Sequence, residues 1–107
     1  MDAVIVLNEN QDQFSNEFLS WFPENQHIWI AFVNETRKVI NAGFNHYSSK
    51  TIIHVLRHHS ALAERNSGWK INNNISPYLA RLFALCYPAH KTLFEYRSTP
   101  RAKIDHV

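Results

Sequence analysis

Glycine, cysteine and long apolar stretches are what this chain has least of. Two glycines and four prolines in 107 residues supply too little turn chemistry for a many-stranded sandwich and exclude a low-complexity chain. The one cysteine, Cys86, rules out an internal disulfide and suits a reducing, cytoplasmic setting. No apolar run approaches the roughly 20 residues of a membrane span. The run near the start, Ala3-Val4-Ile5-Val6-Leu7, has no basic lead and gives way at once to polar residues. It is expected to be an edge strand or a strap on the core, not a signal peptide. Also missing are a glycine-rich phosphate loop, a nucleophile elbow and paired carboxylates in an apolar setting. Neither an enzyme nor a cofactor is expected.

What is there suits one small helical domain. The chain is 45% hydrophobic and 13% aromatic, too apolar for disorder and long enough to bury most of the surface it exposes unfolded. It divides into a strap or loop over residues 1–12, a helical core over 13–97 and a flexible basic tail over 98–107. The expected fold is mainly α, a four-helix, winged-helix-like domain with a small β-hairpin or wing.

Four helices are legible. Phe14, Phe18, Trp21 and Phe22 recur at helical spacing; Asp12 is the expected cap and Pro23 the stop. A second helix runs from about Gln26 to Ala42, with Ile28, Trp29, Phe32, Val33, Val39 and Ile40 on its inner face. Asn25 is its expected cap, and Gly43 its left-handed stop. Ser48 or Ser49 caps a third, whose inner stripe is Ile52, Val55, Leu56, His59, Leu62 and Ala63. Trp69-Lys70-Ile71 is a short strand candidate, and Asn72-Asn73-Asn74 a turn. Ser76-Pro77 starts a fourth helix as hydroxyl cap and first-turn proline, with Leu79, Leu82, Phe83 and Cys86 inward. Tyr87-Pro88 stops it, and Leu93-Phe94-Glu95-Tyr96-Arg97 alternates like a strand.

A net charge of +2 conceals an asymmetry. Residues 1–46 carry two basic and six acidic side chains, a net of −4, while residues 47–107 carry nine and three, a net of +6. Six of the seven histidines lie at or after His46. A basic face attracts phosphate. A helix-turn-helix arrangement of the third and fourth helices would set Tyr78 and Arg81 toward bases, since a major groove admits a helix and arginine pairs bidentately with guanine. Lys50, Arg57, Lys70, Lys91 and Arg97 would hold the backbone. Asn72, Asn73 and Asn74 would touch phosphate or adenine edges, or serve only as the turn.

His54 and His58, four apart on one helix, share a face on which a metal chelate is conceivable. The glutamate that follows the first histidine in metalloproteases is absent, and no third ligand is evident, so no metal is expected. His59 is expected to be half-buried and hydrogen-bonded, Cys86 to be a small buried hydrophobe, Trp29 and Trp69 to be core, and Trp21 and Phe22 to be half-exposed.

The block His46-Tyr47-Ser48-Ser49-Lys50-Thr51-Ile52-Ile53-His54-Val55-Leu56-Arg57-His58-His59 resembles one that recurs in short bacteriophage and prophage proteins. Trp69-Lys70-Ile71-Asn72-Asn73-Asn74, Pro77-Tyr78-Leu79-Ala80-Arg81 and Phe94-Glu95-Tyr96-Arg97 continue the likeness, which covers about half the chain. It implies a phage context and residence in the host cytoplasm. The plan is also similar to winged-helix DNA-binding domains, with the strand displaced to between the last two helices. Two partners follow as expectations: duplex DNA on the basic face, or a host protein complex, such as a defence assembly, that a phage inhibitor blocks. A homodimer is also compatible with an exposed Trp21–Phe22 pair.

Overall fold

A computed structural model describes residues 2–64, 69 and 71–94. The described chain is mainly helical, with five α-helices: α1 (Ala3–Glu9), α2 (Asn16–Trp21), α3 (Gln26–Asn41), α4 (Ser49–Glu64) and α5 (Ser76–Cys86). Single 3-10 turns cover Gln11–Gln13, Phe22–Glu24 and Pro88–His90. Among the described residues β structure is limited to one isolated parallel bridge, Tyr47 to Phe94. The expected wing from Leu93 to Arg97 passes beyond the described residues after Phe94, and Trp69 and Ile71 lie outside any strand.

The first correction concerns the N-terminal apolar run, which is helix rather than strap or edge strand. The Asp2 carboxylate accepts the Val4 N–H at 2.9 Å and caps the first turn. Ala3, Val6 and Leu7, spaced three and four apart, are buried, and α1 packs on α5. The β-branched content argues for a strand only as local propensity, which tertiary packing overrides. The described residues thus form five helices where four were expected.

Ser15, not Asp12, caps α2, its Oγ accepting the Phe18 N–H at 3.1 Å. Pro23 falls in the turn that ends it. Ile28, Trp29, Phe32 and Val33 of α3 are buried as the spacing predicts. Asn25 stands at its N-cap position, but its amide donates back to the Trp21 carbonyl at 2.8 Å. Gly43 at φ 95 ends the helix, its N–H donating to the Ile40 carbonyl at 3.0 Å.

The inner face of α4 is rotated from expectation. Ile52, Ile53, Leu56 and Ser60 face the core, whereas His59, Leu62 and Ala63 are exposed. Ser60 tolerates burial because its hydroxyl donates to the Arg57 carbonyl at 3.1 Å and accepts the Trp69 N–H at 2.8 Å. Trp69 in turn sets its ring edge-on to His27, 5.3 Å away at the start of α3. α4 therefore runs back antiparallel along α3.

α5 is the central helix and packs on α1, α3 and α4. Ser76 is its first residue rather than its cap. The Asn72 carboxamide oxygen takes the Asn74 and Ile75 N–H groups at 2.8 and 3.0 Å, so the asparagine turn shapes the entry. Leu79, Leu82, Phe83 and Cys86 are buried as expected, and so are Tyr78 and Ala80. Six of the seven phenylalanines are buried; Phe44 is the exception. Their rings form a continuous spine through Phe14, Phe18, Phe22, Trp29, Phe32, Phe94 and Phe83, each centroid 5.3 to 6.2 Å from the next. Such pairs add about 0.5–1.5 kcal/mol beyond area burial. Phe22 is thus core, not half-exposed, while Trp21 is partly buried as expected.

Candidate nucleic-acid interface

α4 presents a basic ridge. Lys50, His54 and His58 are exposed and Arg57 is half-buried. At 100° per residue these four occupy roughly 100° of the helix circumference, outside the buried Ile52–Ile53–Leu56–Ser60 face, with Arg57 at the border between the two. From Ser49 to Ala63 the chain carries no carboxylate, so nothing on the helix itself neutralises the ridge before Glu64. Lys50 and Arg57 are two turns apart, about 10 Å along the axis.

Two of the other expected contact residues, Tyr78 and Arg81, turn to the protein instead. Tyr78 is 7% exposed, its ring 5.9 Å from Phe14 and 5.7 Å from Phe18. No residue of α5 is fully exposed. The helix expected to enter a groove is therefore the one most enclosed by its neighbours, and Tyr78 is a core residue rather than a base contact. Arg81 also turns to the protein: its Nη1 donates to the Gln13 carbonyl at 3.0 Å, with the guanidinium 5.8 Å from the Tyr78 ring centroid. It clamps the turn before α2 onto α5.

Asn72, Asn73 and Asn74 are exposed, but Asn72 is committed to its own turn and donates to the Glu17 carboxylate at 3.3 Å. Asn73 contributes its carbonyl to the Ser76 hydroxyl at 3.5 Å. Lys91 is exposed after the last 3-10 turn. Lys70 and Arg97 lie outside the described residues.

His59, expected to be partly buried, is exposed beside His58, ring centroids 6.2 Å apart. Among the described residues no group of three or more His, Cys, Asp or Glu side chains could hold a metal ion. Burial pushes the Cys86 thiol up to about 11, which keeps it protonated and non-nucleophilic near neutral pH. No described helix is long and apolar enough to cross a membrane.

Sequence reasoning missed Arg37. It extends from α3 so that its guanidinium lies 5.8 Å from the Tyr87 ring centroid, and it lines a cleft with Ile40, Asn41, Phe83, Tyr87 and His90. The pairing joins residues 50 apart, and no local pattern announces it. Comparison with protein-family profiles, with curated proteins and with solved structures finds no match.

Proposed function

We propose that the protein is a small, non-enzymatic duplex-DNA-binding protein that grips the phosphate backbone along α4. The ridge of Lys50, His54, Arg57 and His58, free of carboxylates from Ser49 to Ala63, carries this reading. Lys50 and Arg57 are separated by about 10 Å, some three base-pair rises of B-form DNA, so both reach phosphates of one strand. Recognition is of the backbone: with Tyr78 buried and Arg81 bound to Gln13, the winged-helix reading loses both base-reading side chains of its groove helix. Backbone contacts fix position without reading sequence. The phage context comes from the sequence likeness and belongs to the same proposal.

The test is a titration of duplex DNA of several unrelated sequences across salt concentrations. Binding at low salt that is similar for every sequence, and that weakens as salt rises, supports the reading. Absence of binding at low salt overturns it.

A second reading has an observation of its own. Leu62 lies on the outer side of α4, 68% exposed and near His58. A phosphate backbone gains little from leucine, whereas a protein interface does. On that reading the ridge and Leu62 dock on an acidic patch of a host complex and block it. Stoichiometric co-purification of one host protein, lost in Leu62→Asp and accompanied by no DNA binding, would decide for it.

A further inference from the structure

The cleft between the C-terminal halves of α3 and α5 is lined by Arg37, Ile40, Asn41, Phe83, Tyr87 and His90, with a volume of about 420 Å³. That lies within the range of small-ligand sites, roughly 300–1,000 Å³. Its composition is that of such a site: an apolar floor from Ile40 and Phe83, with a guanidinium, an imidazole, a phenol and a carboxamide around it. No carboxylate lines it. The nearest acid in sequence, Glu35, is engaged by Lys38 at 2.9 Å.

Arg37 is held in place without being neutralised. Among the described residues it makes no ion pair; it faces the Tyr87 ring, and that ring packs at 4.8 Å on Phe83 of the aromatic spine. A guanidinium oriented by an anchored aromatic has less freedom to lose on binding than a solvated one. The carbonyls at the end of α3 do not oppose an anion strongly. Those of Lys38, Val39 and Ile40 accept the N–H groups of Ala42, Phe44 and Gly43.

We infer that this cleft binds a small organic anion, one phosphate or carboxylate head on a planar apolar body. The head meets Arg37 and His90, Asn41 supplies a hydrogen bond, and the body lies against Ile40, Phe83 and the face of Tyr87. The site is separate from the α4 ridge and stands whether or not the ridge binds DNA. The two nevertheless share one end of the molecule: the His90 carbonyl accepts the Leu93 N–H at 3.1 Å, and the Leu93 carbonyl accepts the Tyr47 N–H at 2.9 Å, two residues before α4.

Three probes separate head from body: phenyl phosphate, inorganic phosphate and benzyl alcohol, each titrated into the full chain and followed by NMR shifts of the Tyr87 and His90 ring protons. Phenyl phosphate is expected to saturate those shifts at millimolar concentration or below, with inorganic phosphate at least tenfold weaker and benzyl alcohol without saturation. Replacing phenyl phosphate by benzoate tells a phosphate site from a carboxylate site. Arg37→Ala should weaken phenyl phosphate at least tenfold, and Arg37→Lys less. Arg37 is exposed, so these variants fold; Asn41→Asp, which puts a carboxylate in the cleft, is the second check and should weaken binding similarly. If no charged probe produces saturable shifts, or if Arg37→Ala and Asn41→Asp bind phenyl phosphate as the wild type does, the site does not exist.

Discussion

Arg81 separates a structural clamp from a DNA-reading arm. Its guanidinium donates to the Gln13 carbonyl at 3.0 Å across 68 residues of sequence and stands 5.8 Å from the Tyr78 ring centroid. A hydrogen bond from a charged donor contributes about 1.5–3 kcal/mol, and a partly exposed cation–π contact about 0.5–1 kcal/mol. Because Arg81 is only half-buried, the lower ends apply, and Arg81→Ala should cost about 2 kcal/mol. For a domain near this size that lowers Tm by roughly 8–16 °C. Arg81→Lys keeps the charge but not the planar donor geometry, and should fall between. The assay is urea unfolding of both variants, together with DNA binding at a temperature where each is folded. The clamp predicts lost stability, with native-like DNA affinity and salt dependence. A stability within about 0.5 kcal/mol of wild type together with lost DNA affinity would refute the clamp and restore Arg81 as a base contact.

Cys86 supplies a pH signature. Its thiol is raised by desolvation from 9.0 to about 11 in the folded protein, so the fold favours the protonated form. That stabilisation is fully present below pH 9 and is lost as the pH rises toward 11. The unfolding free energy of wild type should therefore fall more steeply over that window than that of Cys86→Ala, and native Cys86 should resist a thiol reagent at pH 8 until the protein unfolds; equal slopes and prompt labelling would contradict the burial. Gly43→Ala places a side chain at φ 95, with nothing within 4 Å to clash, so the conformational strain alone should cost about 1–2 kcal/mol by thermal unfolding.

How far the fold could be read depended on what set each element's register. In α3 the apolar spacing, Gly43 and the flanking proline all agree, and its buried face was legible. In α5 the buried stripe was legible but its surroundings were not: Tyr78, which the spacing sets apart from the stripe, is buried against Phe14 and Phe18. α1 itself was obscured because a β-branched run outweighs, on local propensity, the three-and-four spacing of Ala3, Val6 and Leu7. In α4 two registers compete, one burying His59 and Leu62, the other Ile53 and Ser60. The second prevails because Ser60 finds partners in Arg57 and in Trp69, nine residues on, and no local pattern reveals that. Lys50 and Arg57 of the candidate interface were legible as surface cations. Arg81 and Asn72 were not legible as structural, since their partners Gln13 and Glu17 are more than 50 residues away. The Arg37 cleft is likewise a product of tertiary packing alone.

The central claim is that α4 binds the phosphate backbone, and the salt dependence of DNA affinity tests it most directly. Each neutralised phosphate contributes a slope of about −0.9 to log affinity against log salt. The account predicts duplex binding at low salt, and a slope shallower by about 2 in Lys50→Ala/Arg57→Ala than in wild type, with equal losses for unrelated sequences. A slope unchanged by that double substitution, or no duplex binding at low salt, would contradict it.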